Sequence, residues 1–397
     1  MNINIFSYVF APEKFLINSL ALKLAKSHNV DVSTGIPNYP SGNFFEGYGY
    51  LGPYTEKIDS VNIFRFPVIP RKKGTLFLIL NYISNLGSGL FNIFRLGRSD
   101  CVFVFATSPI MTAIPAILYA KYRKVPVFIW LQDLWPDSFV AITGYSPYSI
   151  VSRVLGLVVR WVYKNTDVML VQSEGFKDNL NKYGFKGDVH WVPNWANDSQ
   201  CSVDPSWVQD IPKDRFVVTF AGNIGTAQKL DTLLDAAKEL VKEESIFFAI
   251  VGDGREYTRL VREYSGLSNV KFYGRRAPED MIPLFEASSA LIVMLKNDPV
   301  FSLTIPSKLQ SYLKARRPII CSLSGEGERL VRDNCLGVIS KVEDPVDLAK
   351  NILKLSKETS VKRERMGENC YKLYKSHFEV SKVIARIESL LVEYTSK

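Results

Sequence analysis

The stretch RFVVTFAGNIGTAQKLDTLLDAAKEL, residues Arg215–Leu240, decides the fold expected for the whole chain. It opens with Phe216–Ala221, an apolar run rich in β-branched and aromatic residues that predicts a buried strand. Gly222-Asn223-Ile224-Gly225 predicts a turn, and apolar residues then recur at helical spacing. A glycine turn between a strand and a helix can bring backbone N–H groups close to a phosphate, although ordinary strand-to-helix connections have the same pattern.

Short apolar runs alternate with helical patterns along both halves of the chain. Runs such as Cys101–Ala106 and Ile246–Val251 are almost continuously apolar, which is typical of parallel strands covered on both faces. A chain of 397 residues is long for a single core, so we expect two domains, at residues 1–195 and 196–377. The predicted fold class is α/β, with two doubly wound, Rossmann-like domains whose carboxyl edges face a central cleft.

The chain carries a formal net charge of +9, and the first half holds most of the excess. Arg71-Lys72-Lys73 precede the apolar segment Leu76–Phe94, so we expect this region to approach an anionic membrane surface. No nucleic-acid recognition motif accompanies the charge, and nucleic acid is not an expected partner. The segment contains too many polar and small residues for a membrane span. It is expected to be either a core helix of the first domain or a helix lying in the membrane plane.

Cysteine and histidine usage gives no sign of a disulfide framework or a metal site. The five cysteines include no CxxC pair, and the three histidines lie far apart along the chain. No signal peptide opens the sequence. We therefore expect free thiols in a reducing, cytoplasmic setting and no bound metal.

A polar stretch follows the predicted strand Val127–Leu131. Gln132, Asp133, Trp135 and Asp137 lie in it, at the carboxyl end of that strand. Because loops at this edge of a parallel sheet line ligand clefts, the sequence places two carboxylates where an acid or base could act.

Several short motifs occur in a fixed order along nearly the whole chain. They are Pro37-Asn38-Tyr39-Pro40-Ser41-Gly42, Trp130-Leu131-Gln132-Asp133-Leu134-Trp135-Pro136-Asp137, Val192-Pro193-Asn194, Gly222-Asn223-Ile224-Gly225, Gly252-Asp253-Gly254, and Ile305-Pro306-Ser307-Lys308-Leu309 with Arg317-Pro318. This ordered set resembles bacterial family 4 glycosyltransferases of the GT-B fold, in particular those that build O-antigen, capsule and colanic-acid type polysaccharides. The resemblance also implies that a last helix, about residues 378–397, packs back on the first domain.

The resemblance implies transfer of a sugar from a nucleotide sugar to a saccharide carried on polyprenyl diphosphate. The donor is expected to be UDP-linked, with an N-acetylated amino sugar or a deoxy sugar as the group transferred. No cofactor is implied. The enzyme would work in the cytoplasm, peripherally bound to the inner membrane surface.

The same resemblance assigns donor-binding residues to the second domain. Gly222, Asn223 and Gly225 lie where the family wraps the diphosphate, and Lys308 would neutralise it together with the helix N-terminus that Pro306 opens. Around the diphosphate, ribose and base, the remaining candidates are Lys229, Gly252, Asp253, Gly254, Arg275, Arg276, Ser307, Ser311 and Glu326.

In the first domain, Asp133 is the expected acceptor of the proton from the attacking hydroxyl, with Asp137 as the second candidate or as a cap of the following turn. Trp135 would stack on a sugar or simply pack. Gln132 stands where relatives often have a histidine. Glu13 would either touch the acceptor or precede a helix.

Three departures from the family pattern affect the expected chemistry. Leu303 and Ser311 occupy the positions of the family's paired glutamates, so Ser311 could give ribose only a single hydrogen bond. The usual basic pair falls on Asn223 and Gln228, with Lys229 displaced by one residue. The third departure is in the early loop, which lacks the paired glycines of many relatives. Retention of configuration is expected from the family and is left open by the missing glutamates.

Two rival functions fit the same two-domain fold. One is a nucleotide-sugar epimerase, and the other is a catalytically silent protein that binds nucleotide sugar and scaffolds partners. A nicotinamide oxidoreductase is disfavoured because no GxGxxG motif follows the first strand.

Overall fold

A computed structural model describes residues 1–72, 74–146, 148–196 and 205–396. It divides the chain into an N-terminal unit, Met1–Pro193 together with the residues from Ser381 onward, and a C-terminal unit, Asn194–Val380. The division falls two residues before the position expected from the sequence. The polar stretch Pro193–Ile211 is predicted from the sequence to link the two domains, and its residues 197–204 lie outside the described residues, as does Lys73.

The N-terminal unit is built on an eight-stranded sheet. Its strands are β1 Asn2–Ser7, β2 Asn29–Gly35, β3 Thr55–Ile58, β4 Val61–Phe66, β5 Cys101–Ala106, β6 Val127–Leu131, β7 Val168–Val171 and β8 Asp188–Trp191. Their order is β3-β4-β2-β1-β5-β6-β7-β8, and all neighbours are parallel except β3, which pairs antiparallel with β4. β1, β5, β6 and β7 are buried almost throughout, which explains their apolar sequences.

Helices cover the faces of this sheet. They are α1 Leu16–Leu24, α2 Thr75–Asn92, α3 Ala113–Arg123, α4 Asp137–Thr143, α5 Ile150–Lys164, α6 Phe176–Lys182 and α15 Val380–Thr395. The last of these contacts the N-terminal unit through Glu388, which lies 2.9 Å from His28, and through Tyr394, whose ring centroid is 5.7 Å from that of Phe128.

Helix α2 has two different faces. Asn81, Asn85 and Asn92 are buried on one of them, while the opposite side is exposed. Among the described residues, Leu76–Arg95 is the only helical stretch whose length and composition would suit a membrane crossing. Only 22% of its most apolar 18 residues are buried. Helix α2 therefore packs against the domain with one side only, and it is not a buried core helix.

The C-terminal unit contains a six-stranded sheet with every pairing parallel. The strands are β9 Phe216–Ala221, β10 Ile246–Val251, β11 Val270–Gly274, β12 Ala290–Met294, β13 Ile319–Ser322 and β14 Gly337–Ile339, in the order β11-β10-β9-β12-β13-β14. The helices are α7 Leu230–Glu239, α8 Tyr257–Tyr264, α9 Met281–Glu286, α10 Pro299–Ser302, α11 Ser307–Lys314, α12 Glu326–Asp333, α13 Pro345–Ser356 and α14 Ser360–Leu373. Central strand β9 brings its glycine turn to the carboxyl edge of the sheet.

The predicted α/β class with two doubly wound domains is confirmed. Each unit has its own parallel sheet, and the C-terminal core joins β9, β10 and β12 to α7 and α13 through residues such as Phe220, Leu233, Ile250 and Ile352. One local prediction from the sequence is wrong: the two glycines of Gly325-Glu326-Gly327 predict the start of a loop, whereas helix α12 begins at Glu326.

Candidate functional site

Two glycine turns meet at the carboxyl edge of the C-terminal sheet. One follows β9 and the other follows β10, and backbone hydrogen bonds join them. Gly222 N donates to Val251 O at 2.9 Å, and Ile224 N donates to Asp253 O at 2.9 Å. The two turns therefore form one rigid backbone surface.

Glycine is required here because the two turns approach each other closely. Gly252 has φ +140° and Gly254 φ +159°, conformations that side chains disfavour. A Cβ on Gly252 would lie 1.8 Å from Gly222 O, and a Cβ on Gly254 would lie 2.4 Å from Ile224 O. At these two positions glycine is required by the close contact with the neighbouring turn.

A pocket of about 420 Å³ opens over these turns. Seven of the thirteen predicted donor-binding residues line it: Gly222, Asn223, Gly252, Asp253, Gly254, Arg275 and Arg276. Asp253 is exposed and accepts a hydrogen bond from Gly254 N at 2.7 Å. The pocket thus combines bare backbone, one carboxylate and two guanidinium groups.

Lys308 lies beneath this backbone with its amine buried. Its Nζ has no hydrogen-bond partner among the described residues and lies 3.6 Å from the ring centroid of Phe220. A Cβ built on Gly222 would be 2.3 Å from Lys308 Cε, so the lysine stem runs directly against that pocket-lining glycine. Burial lowers the pKa of the Lys308 amine to about 7, because desolvation penalises the charged form.

The other predicted donor residues lie outside the pocket. Gly225 N donates to Gln228 Oε1 at 3.1 Å, and Lys229 Nζ is 3.6 Å from Glu343 Oε2. Glu326 forms an ion pair with Arg329 of its own helix. The backbone N–H of Gly225 and the side chains of Lys229 and Glu326 thus each have a partner within the C-terminal unit.

Two further donor candidates lie on helix α11. Ser307 is exposed at its first turn, and Ser311 lines a neighbouring pocket of about 360 Å³. Met281 borders both pockets and was missed from the sequence, since a lone methionine gives no chemical signal.

An aromatic support for Arg276 was also missed. Its guanidinium carbon lies 4.7 Å from the ring centroid of Trp207, which packs against Tyr273 at 5.3 Å and donates to Asp280 Oδ2 at 3.2 Å. The cation-π contact holds Arg276 at the pocket rim. No sequence spacing links Trp207 to this arginine, because the two come from different elements.

In the N-terminal unit, Ser108 joins two of the predicted residues. Its hydroxyl donates to Asp133 and accepts from Trp135 Nε1 at 3.0 Å. Trp135 stacks on Phe139, with 5.6 Å between centroids, and Phe139 stacks on the exposed ring of Tyr145 at 5.7 Å. The half-buried carboxylate thus lies near the buried ring of Trp135, which packs in the domain, and the exposed ring of Tyr145 ends the aromatic row.

Asp137 is engaged within the fold. It begins α4 and accepts from Asn179 Nδ2 at 2.6 Å and from Lys182 Nζ at 2.9 Å. Its two oxygens are therefore both paired, one to each partner. Both partners belong to α6, and no side-chain hydrogen bond caps the start of α4, so Asp137 joins two helices rather than capping the following turn as the alternative expected.

Glu13 is a buried connector between two loops. Its carboxylate accepts from Phe10 N at 3.1 Å, from Asn38 N at 2.9 Å and from Tyr39 N at 2.7 Å. Burial raises the pKa of Glu13, although the three backbone donors oppose that shift. Gln132 lies at the end of β6, where its backbone oxygen accepts from Gln172 Nε2 at 3.0 Å.

Within the described ranges, no group of three or more His, Cys, Asp or Glu side chains is placed so that it could hold a metal ion.

Two known protein families match the two units of this chain. The family described as "Glycosyl transferase 4-like domain" matches residues 16–195, and the one described as "Glycosyl transferases group 1" matches residues 215–358. The "Putative colanic acid biosynthesis glycosyl transferase WcaI" of Escherichia coli K12 is 24% identical over 332 residues, 79% of this chain and 81% of the relative. The "Probable glycosyltransferase WbjE" of Pseudomonas aeruginosa is 25% identical, over 75% of this chain and 77% of the relative.

Solved structures with the same fold cover the full chain. Sucrose-phosphate synthase from Thermosynechococcus elongatus superposes with a TM-score of 0.75 at 14% identity, over 99% of this chain and 98% of the other. Anabaena HepE in complex with UDP gives a TM-score of 0.69 at 14% identity, over 99% and 100% of the two chains. At these identities the likeness establishes the fold.

Proposed function

This chain belongs to the family 4 glycosyltransferases of GT-B fold, and from that premise we propose that it transfers a sugar from a UDP-linked donor to a saccharide carried on polyprenyl diphosphate. The expected product is a precursor of a bacterial surface polysaccharide such as O-antigen or capsule. The colanic-acid name of one relative and the UDP complex of a structural neighbour support this reading. The proposed location is the cytoplasmic face of the inner membrane.

The buried amine of Lys308, which has no partner within the described ranges, is the observation that carries the proposal. A lysine amine is costly to bury without a hydrogen-bond partner. The position of Lys308 against the backbone of Gly222 therefore favours a ligand that supplies the missing acceptor. A diphosphate supplies negative charge and several acceptor oxygens. In this proposal the amine turns toward the pocket floor, while Arg275 and Arg276 approach the ligand from the rim.

Glycosyl transfer needs a stabilised leaving diphosphate and a base for the attacking hydroxyl. Lys308, the two arginines and the backbone N–H groups would stabilise the diphosphate without a metal. Asp133 would accept the proton, because Ser108 orients its carboxylate and leaves it further acceptor capacity. Retention of configuration is part of the proposal by family likeness, although Leu303 and Ser311 replace the paired glutamates.

Calorimetric titration with UDP tests the donor site. Lys308→Met keeps an unbranched side chain and removes the charge, so UDP affinity should fall about 10–100-fold, the worth of one hydrogen bond to a charged group. Lys350→Met, at an exposed lysine of α13, is the matched control and should bind as the wild type does. Unchanged affinity in Lys308→Met would remove the proposed role.

A panel of UDP sugars, each with and without a bacterial membrane extract, tests the reaction. UDP release that depends on the extract identifies a transferase. Conversion of the sugar without an acceptor would identify the epimerase instead. Binding without release or conversion would leave a scaffold.

A further inference from the structure

Helices α2, α3 and α5 of the N-terminal unit carry large apolar side chains that point away from the core. We call their common exposed surface the three-helix face. Its apolar members are Leu76, Ile79, Ile83, Phe91 and Phe94 from α2 and the turn after it, Leu118 and Tyr122 from α3, and Ile150, Val154, Leu157 and Trp161 from α5. So many exposed large apolar residues mark an interaction surface rather than ordinary scatter.

Direct contacts make this surface continuous. Gly89 of α2 lies against Pro115 of α3, where an added Cβ would be 3.3 Å from the proline ring. On the other side, Lys121 of α3 places its Nζ 5.7 Å from the ring centroid of Trp161 on α5. The three helices thus lie side by side, with α3 in the middle.

The charge of the three-helix face has one sign. None of the helices α2, α3 and α5 contains an aspartate or a glutamate. On α5, Arg153, Arg160 and Lys164 share the exposed stripe with Ile150, Val154, Leu157 and Trp161. Lys121 and Lys124 add exposed cations at the end of α3, and Arg95 and Arg98 add them after α2. The partner should therefore be both apolar and anionic.

The hydrogen bonds on the buried face of α2 limit how deeply this helix can enter a lipid bilayer. Asn81 Nδ2 donates to Ile69 O at 2.6 Å, and Asn92 Nδ2 donates to Ser33 Oγ at 2.8 Å and to Phe64 O at 3.1 Å. Crossing a bilayer would strip these amides of their partners, which costs several kcal/mol per polar group in hydrocarbon. The helix can offer its outer side to a membrane while its inner side stays in the domain.

We propose that the three-helix face docks this protein on the surface of an anionic lipid bilayer. Apolar side chains enter the headgroup region, and the arginines and lysines contact lipid phosphates, as for an interfacial amphipathic helix. A second copy of the chain fits less well, because it would bring two acid-free, cationic surfaces together. The inference rests on the proposed function in one respect, since a polyprenyl-linked acceptor is reached from the membrane surface.

Vesicle co-sedimentation of the full chain tests the docking. Vesicles of phosphatidylethanolamine with 30% phosphatidylglycerol, a composition chosen for the test, should bind the protein, and phosphatidylcholine vesicles should bind it at least tenfold more weakly. Raising the salt concentration should weaken binding to the anionic vesicles because it screens the cations. Equal binding to both vesicle types, or binding to neither, would overturn the proposal.

Paired substitutions locate the surface. The charge reversals Arg153→Glu and Arg160→Glu together should reduce binding to anionic vesicles at least tenfold, and Ile150→Ser with Leu157→Ser should do the same by removing apolar contact. Matched controls on the C-terminal unit are Lys350→Glu with Lys354→Glu and Val346→Ser with Val361→Ser, all at exposed positions. Face variants that still bind as the wild type does would refute the assignment.

Two further readouts separate the alternatives. Carbonate washing should release the bound protein, and resistance to release would indicate that α2 spans the bilayer. Light scattering should give the same mass for the wild type and the face variants, and a dimer lost in those variants would indicate a second copy as the occupant. UDP titration of every variant distinguishes a failure of the docking proposal from a failure of the proposed function. Vesicle binding can be lost while UDP affinity stays normal, and UDP affinity can be lost while vesicle binding stays normal.

Discussion

Glu13 of the N-terminal unit and Lys308 of the C-terminal unit are both ionisable side chains whose charged atoms are buried, and their surroundings are opposite. Glu13 accepts three backbone hydrogen bonds and ties two loops together. Lys308 donates no hydrogen bond to any residue that the structure describes. Its amine faces the ring of Phe220, and its side-chain stem touches the backbone of Gly222. A buried carboxylate that already accepts its hydrogen bonds stabilises the fold. A buried amine with no acceptor can instead donate to an acceptor atom of a ligand.

The same contrast separates the two aspartates that follow β6. Asp137 has one oxygen on Asn179 and the other on Lys182. In the described part of the chain, Asp133 receives one hydroxyl donor, from Ser108, beside the buried ring of Trp135. In both units, the number of hydrogen bonds that an ionisable side chain already makes distinguishes structural from reactive candidates. The sequence shows only that these side chains are ionisable.

The largest effect should come from Asp133→Asn. If Asp133 accepts the proton of the attacking hydroxyl, acceptor-dependent UDP release should fall about 10²–10⁴-fold while UDP affinity stays unchanged. The measurement is initial rate at saturating donor, with UDP affinity by calorimetry. Asp137→Asn is the matched control and should retain turnover. The reverse pattern, with turnover lost only in Asp137→Asn, would assign the base to the other aspartate and break the comparison.

Glu13→Ala should affect stability rather than chemistry. The substitution leaves the N–H groups of Phe10, Asn38 and Tyr39 without their acceptor, so the free energy of unfolding should fall by about 3 kcal/mol. Urea denaturation followed by tryptophan fluorescence measures the change. Lys308→Met should instead leave stability equal or raise it by roughly 1–4 kcal/mol, because it removes a buried group with no partner. Stability losses of similar size in both variants would contradict the distinction.

The smallest effect is a pH dependence that belongs to Lys308. Between pH 7 and its ordinary pKa of 10.5, the folded protein holds this amine neutral while the unfolded chain binds a proton. Since the unfolded state then binds more protons, the stability contributed by this residue rises with pH, by about 1.4 kcal/mol per unit. The stability advantage of Lys308→Met over the wild type should therefore narrow between pH 7 and pH 9 in urea denaturation.

Ligand binding supplies the independent check on that titration. A diphosphate favours the protonated amine, so the affinity of the wild type for UDP should fall as pH rises above 7, by at most about tenfold per unit. Lys308→Met should lack this extra dependence. A stability difference that stays constant with pH, together with parallel affinity profiles, would show that the amine does not titrate in this range.

The sequence by itself determined the parallel strands and the place where the pocket over the two glycine turns forms. Phe216–Ala221 and Ile246–Val251 have the expected bounds, because strands buried on both faces must be apolar at every position. The glycine turns after them follow from the same pattern, since the edge of a parallel sheet collects the loops of consecutive strands. These features are local in sequence and are therefore readable without the fold.

Only the tertiary structure decided which polar side chains have partners. Lys229 meets Glu343, which lies far along the chain, and β3 is added as an antiparallel edge strand too short and polar to show an apolar run. The exposed side of α5 was likewise invisible, since an apolar helix in a sequence looks the same whether a core or a membrane covers it. Burial and pairing depend on residues distant along the chain, and those contacts distinguish a structural charge from a functional one.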